Sequence, residues 1–185
     1  MQPLIQTLQQ VLPQAVAEFN QVRLPALETA WGRSFADEMR NETQKTVEIS
    51  KNYSRPLNNT IFRHVNSQLP SFTELTTQGS DYLYLGTPIE DKNSFSPSNG
   101  WVGNGFAKTP WHLLKKFQVD DQGRITHAFV AMVDTSLCLA SWSAKTVKTN
   151  RSTIEFRVAD LPHIQVIVGS IKASKIYLKP QPAMI

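Results

Sequence analysis

The sequence predicts an α/β (α+β) fold, a mixed central β-sheet flanked by helices, with a helical N-terminal region. Two changes of pattern along the chain carry that prediction. Up to Pro70 apolar side chains recur at three- and four-residue spacing, the signature of amphipathic helices. From Thr76 onward, short runs rich in β-branched and aromatic residues are separated by Gly, Pro, Asn and Ser, which reads as strands and turns. Size supplies the third observation: 185 residues, 41% of them hydrophobic and 9% aromatic, are enough for one domain with a substantial core.

Residues 3–22 place Leu4, Ile5, Leu8, Val11, Leu12, Val16 and Phe19 at helical spacing, with Pro13 as a kink or break. Pro25 opens a second helical pattern, running to Ile49, in which Leu27, Trp31, Phe35 and Met39 recur every four residues. KNYSRPLNNT (51–60) reads as a loop or turn because of Pro56 and the paired Asn58 and Asn59, and IFRHVNSQL (61–69) as a further helix ended by Pro70. The strand-like runs are DYLYL, PIEDKNSF, THAFVAMVDTS, STIEFRV, IQVIVGSI and KIYLK. Among them TPWHLLKKF (109–117) reads as a helix, with Thr109 as N-cap, Pro110 at the first helical position and Lys115 and Lys116 in the last turn, where the helix dipole favours cations.

No run reaches the roughly 18 to 20 apolar residues of a membrane span, and MQPLIQTLQQ lacks the basic and apolar regions of a secretory signal. The single cysteine, Cys138, cannot form an internal disulfide and sits in an apolar run, so a reducing cytoplasm and no membrane partner are expected. The net charge of +4 is unevenly placed, because residues 141–185 hold seven Lys and Arg against two Asp and Glu. That excess suits a polyanion, and equally a solvated basic face. His64, His112, His127 and His163 are scattered without zinc-ligand spacing and read as packing or surface residues. No G-x-S-x-G, Walker A or G-x-G-x-x-G motif occurs.

The informative stretch is SDYLYLGTPIEDKNSF (80–95). With Gly86-Thr87 as a two-residue turn, Leu85 faces Pro88, Leu83 faces Glu90 and Asp81 faces Lys92. Asp81, Glu90 and Lys92 then share one face, whereas Tyr82, Tyr84, Ile89 and Asp91 share the other, with Asp91 near enough to the strand end to reach water. Two carboxylates so close repel each other unless a cation or a divalent metal intervenes, and oxygen ligands of this kind suit Mg²⁺. A neighbouring lysine can orient an attacking water or stabilise developing negative charge. The alternative is a surface ion-pair ladder worth about 0 to 1 kcal/mol.

Asp81 followed by Glu90-Asp91-Lys92 resembles the D-x(n)-E-x-K signature of the PD-(D/E)xK nucleases, notably type II restriction endonucleases, although Ser80 stands where that signature often has proline. The resemblance implies a restriction-endonuclease-like sheet, metal binding by Asp81 and Glu90, assistance to the attacking water by Lys92, and Mg²⁺ as cofactor. It further implies double-stranded DNA as substrate and a homodimer, since two-fold protein symmetry matches a palindromic site. On that reading residues 1–185 form a single nuclease domain, 1–70 a mainly helical scaffold and dimerisation part, and 71–185 the catalytic sheet core with its DNA-contacting loops.

Two loops supply candidate DNA contacts: SPSNGWVGNGFAKTPW with Asn99, Asn104 and Lys108, and SAKTVKTNRST with Lys145, Lys148, Asn150 and Arg151. Each can equally be a solvated or self-packed surface loop. The loop reading of residues 51–59 offers a weaker third surface, and Glu28 or Glu38 an extra carboxylate. A structure-specific repair or phage nuclease of the same fold, and a non-catalytic nucleic-acid-binding domain, stand as alternatives; only a nuclease requires the Asp, Glu and Lys set.

Overall fold

The buried stripe Leu4, Ile5, Leu8, Val11, Leu12 and Ala15 defines α1 (Gln2–Glu18), which has proline in its first turn, where a missing N–H costs nothing. The structure is a computed structural model that describes residues 1–75 apart from 41 and 43, then 80–95 and 111–134; the strand segments 101–102, 147–148, 154–157, 164–168 and 175–178 are described as backbone only. Pro13 does not break α1, which continues to Glu18 and passes into a π-helical turn, Phe19–Arg23. In that turn the Asn20 amide binds a strand end, donating to the Ile125 carbonyl (2.9 Å) and accepting from the Ile125 N–H (2.8 Å).

The second expected helical pattern is divided. α2 (Leu24–Trp31) stops at Gly32, whose φ of 68° lets the Arg33 N–H return to the Glu28 carbonyl. A short α3 (Phe35–Met39) restarts with Ser34 as N-cap, its hydroxyl accepting from the Asp37 N–H.

Residues 51–60 are not a loop. They form the middle of α4 (Lys45–Gln68), a 24-residue helix that runs through Pro56 and absorbs the helix expected from Ile61. Tyr53, Leu57, Ile61 and Val65 stand four apart and are buried, so packing of this stripe overrides the local turn signals of Pro56, Asn58 and Asn59.

From Phe72 the chain is strand. β1 (Phe72–Glu74), β2 (Tyr82–Tyr84), β3 (Thr87–Ser94), β4 (Trp101–Val102), β5 (Trp111–Val119), β6 (Ile125–Asp134), β7 (Val147–Lys148), β8 (Ile154–Arg157), β9 (Ile164–Val168) and β10 (Lys175–Leu178) follow in order. One six-stranded sheet runs β1-β2-β3-β5-β6-β9, antiparallel except where β3 and β5 lie parallel; the other runs β4-β10-β8-β7. The α+β class and the mixed sheet expected from sequence are present. Among the described residues no helix is long and apolar enough to cross a membrane.

β5 corrects the helix expected over 109–117. Its alternation puts Leu113, Lys115 and Phe117 on the face that also carries Val130 and Met132, and His112, Leu114 and Lys116 on the opposite face beside Phe129, Ala131 and Val133. Because the strand is paired on both edges and buried on both faces, it reads as a nearly continuous apolar run, which periodicity alone does not separate from a helix.

The first of these faces closes the main core. Ile89, Leu113, Phe117, Val130 and Met132 join the α1 and α4 stripes, with Phe35, Phe72, Tyr82 and Phe95. The turn between β5 and β6 docks on the helices through Gly123, whose carbonyl accepts from the Tyr53 hydroxyl (2.9 Å). Gly123 has φ 79°, and a Cβ there would stand 2.5 Å from the Tyr53 hydroxyl oxygen and 2.6 Å from Phe35 Cγ. Gly123→Ala should therefore cost about 2 to 4 kcal/mol in denaturant unfolding, from overpacking added to left-handed strain. Gly32→Ala, at φ 68° with open space around it, should cost only about 1 kcal/mol.

Candidate active site

The β2–β3 hairpin turns at Leu85 and Gly86, both at positive φ (49° and 79°), rather than at Gly86 and Thr87. Tyr84 therefore pairs with Thr87, Leu83 with Pro88 and Tyr82 with Ile89, a register two residues away from the expected one. A shift of two preserves the faces, because side chains alternate with a period of two. Glu90 and Lys92 still share one face of β3, and Ile89 and Asp91 the other.

Asp81 does not stand opposite Lys92. It lies just past the last pair of the β2–β3 ladder, where its N–H donates to the Ile89 carbonyl (3.1 Å) and its Oδ2 accepts from the Asp91 N–H (2.7 Å). Its carboxylate thus sits at the peptide joining Glu90 to Asp91. The Glu90 side chain, 5% exposed, is ion-paired with Lys92, 20% exposed.

The parallel register sets His112 of β5 directly beside Glu90 on this face. Burial, with the nearby Lys92 ammonium adding to it, pushes the imidazole down to about 4, so the ring is neutral at neutral pH. In the sequence His112 is one of four scattered histidines. Only the β3–β5 pairing, across a separation of 22 residues, brings it to this site.

Asp91 corrects a further expectation, since it does not reach water. Its side chain is 1% exposed on the core face, where Oδ1 pairs with Lys115 Nζ (2.8 Å), itself fully buried. Asn58 of α4 completes the cluster: Nδ2 donates to Asp91 Oδ2 (2.5 Å), and Oδ1 accepts from both Lys115 Nζ (2.7 Å) and Asn93 Nδ2 (2.7 Å). Burial pushes the Asp91 carboxyl above its usual range, and the Lys115 ammonium opposes that rise. Asn58, Asn93 and Lys115 carry no sequence signal for this role, because residues 51–60 read as loop and Lys115 as the last turn of a helix.

Asp81, just before β2, and Glu90 of β3 are carboxylates of the kind that suits Mg²⁺, which takes one or two protein carboxylates and completes its shell with water and phosphate oxygens; Asp81 Oδ2 lies against the Asp91 N–H and Glu90 against Lys92. Among the described residues, no three His, Cys, Asp or Glu side chains form a group able to hold a metal ion. Glu28 and Glu38 are engaged elsewhere: Glu28 accepts from the Phe35 N–H (2.7 Å), and Glu38 pairs with Arg33. Asn99, Asn104, Lys108, Lys145, Asn150 and Arg151 lie outside the described residues, and Lys148 is placed only as backbone in β7. Compared with protein-family models, curated proteins and solved structures, the chain matches none.

Two expected outcomes follow from this geometry. Asp91→Ala leaves the Lys115 ammonium buried without its carboxylate and should cost about 3 to 5 kcal/mol, whereas the double variant Asp91→Leu/Lys115→Met should be more stable than Asp91→Ala; chemical denaturation of both checks this. For His112 the folded value lies below the unfolded one, so its contribution is fully present above pH 6.5 and is lost as pH falls towards 4. In EDTA, unfolding free energy should therefore fall by about 3 kcal/mol more in the wild type than in His112→Gln between pH 7 and pH 4.

Proposed function

We propose that the chain is a Mg²⁺-dependent endonuclease that hydrolyses phosphodiester bonds in double-stranded DNA, a type II restriction enzyme with a restriction-endonuclease-like fold of the PD-(D/E)xK kind. One observation carries the reading: the Asp81 carboxylate lies at the Glu90–Asp91 peptide while Glu90 and Lys92 project together from the same strand. Two carboxylates with an adjacent ammonium are what phosphodiester hydrolysis needs and what binding alone does not.

Asp81 and Glu90 would hold the cation. When bound, Mg²⁺ supplies charge neutralisation at the scissile phosphate and lowers the pKa of a coordinated water. Lys92, ion-paired with Glu90, would orient the attacking water and stabilise negative charge as the phosphorus–oxygen bond breaks. His112, neutral and buried beside Glu90, adds no positive charge to compete with the cation. Asp91 stays out of the chemistry and fixes the strand from below.

The basic excess of residues 141–185, including Lys145, Lys148 and Arg151, supports a phosphate-tracking surface, and a homodimer acting in the cytoplasm would match a palindromic site. Purified protein should cut plasmid DNA into discrete fragments with Mg²⁺ and not with EDTA. Lys92→Ala should lower the cleavage rate by about 10² to 10³ while duplex binding in Ca²⁺ survives. Binding without cleavage under any divalent ion would leave the non-catalytic nucleic-acid-binding domain as the answer.

A further inference from the structure

The tip of the β2–β3 hairpin breaks two folding preferences at one residue. A two-residue turn with positive φ at both central positions favours Asn, Asp or Gly, yet Leu85 occupies the first position at φ 49°. It is the one non-glycine residue at positive φ among the described residues. Its side chain is also 71% exposed, the highest value among the large hydrophobic residues described. Nothing stands within 4 Å of a Cβ built on Gly86, so the tip projects into open space. Among the described residues no contact offsets either one.

The base of the hairpin is packed by contrast. Tyr82 and Tyr84 are buried, and Tyr82 stacks on Phe62 with 5.8 Å between ring centroids and packs on Phe72 at 4.8 Å. Asp81 directly precedes β2, and Glu90 lies in β3. Asp81 and Glu90 each lie four residues from the turn, so at about 3.3 Å per residue the tip stands roughly 13 Å along the hairpin from them, about four steps of stacked bases at 3.4 Å.

We propose that Leu85 is an apolar wedge that enters between stacked bases of duplex DNA held at the Asp81, Glu90 and Lys92 site. The inference rests on the nuclease reading. Leucine is among the side chains that part a base step, and wedges of this kind unstack and kink the duplex. A protein-docking surface would present a contiguous apolar patch. Here Tyr84 is buried and Leu83, Thr87 and Pro88 are half-buried, so Leu85 is the one apolar side chain of the hairpin that stands fully exposed, the width of a slot between two bases.

The test is Leu85→Asn, which suits the turn better than leucine does, with Val22→Asn as an exposed apolar control on the π-helical turn. Leu85→Asn should raise the melting temperature by about 2 to 4 °C. It should also weaken plasmid binding in Ca²⁺ by about tenfold or more, with an unchanged salt slope because no phosphate contact is lost. Wild-type protein and Val22→Asn should lower the linking number of plasmid relaxed by a topoisomerase in their presence, and Leu85→Asn should not. Cleavage and binding by Leu85→Asn at the wild-type level would overturn the wedge and leave the nuclease reading intact. A lowered melting temperature would make Leu85 a fold contact and overturn it too. A wild-type protein that neither binds nor cuts DNA would remove the nuclease reading, and the wedge with it.

Discussion

A lysine ammonium with no route to water dictates how this sheet meets its helices. Lys115 lies in the interior of β5, paired on both edges and covered on both faces, and an unpaired charge there would cost several kcal/mol. Asp91 of β3 neutralises it, and Asn58 of α4 bonds to both partners. Three elements far apart in sequence are thereby tied at one point. Shifting β3 by one residue would turn Asp91 outward and strand the ammonium, so the cluster selects the register of the strand as well as its position.

What stands on the opposite face follows from that selection. With Asp91 pointing into the core, Glu90 and Lys92 must point away from it, and the Asp91 N–H is left in the strand edge, where Asp81 takes it. The parallel pairing that brings Lys115 near Asp91 also brings His112 beside Glu90. The arrangement above the sheet is thus held from beneath by groups that need not touch a substrate. Hydrophobic packing alone would orient the strand less strictly, since Leu113 and Leu114 are both buried on their respective faces.

A second set of polar contacts holds the helical layer to the turn between β5 and β6. Asn20 clasps the backbone of Ile125, and Tyr53 donates to the Gly123 carbonyl. Beside them Glu18 gathers Arg23, Arg63 and His64, joining the end of α1 to α4. That carboxylate is drawn below its usual range by Arg63 and His64 against the opposing effect of burial. The interior of the α1–α4 contact is apolar, and these groups line its rim.

The amphipathic spacing of residues 3–22, the strand character after Thr76 and the shared face of Glu90 and Lys92 are legible in the sequence, because each depends on a local period that survives errors at its ends, whereas β1 at Phe72–Glu74 is too short to show one. The hairpin register differs by two residues from the one the Gly86-Thr87 turn implies, and parity keeps the faces. The left-handed turn at Leu85 carries no sequence signal, since leucine is not a residue that announces positive φ. TPWHLLKKF and KNYSRPLNNT depart from their local propensity for one reason: burial on two faces, or along a stripe of Tyr53, Leu57, Ile61 and Val65, overrides it. Tertiary structure alone joined Asn58, Asp91 and Lys115 and brought His112 to Glu90, because a buried charge is answered by whatever the fold brings near it, and that proximity is not written in any short stretch of chain.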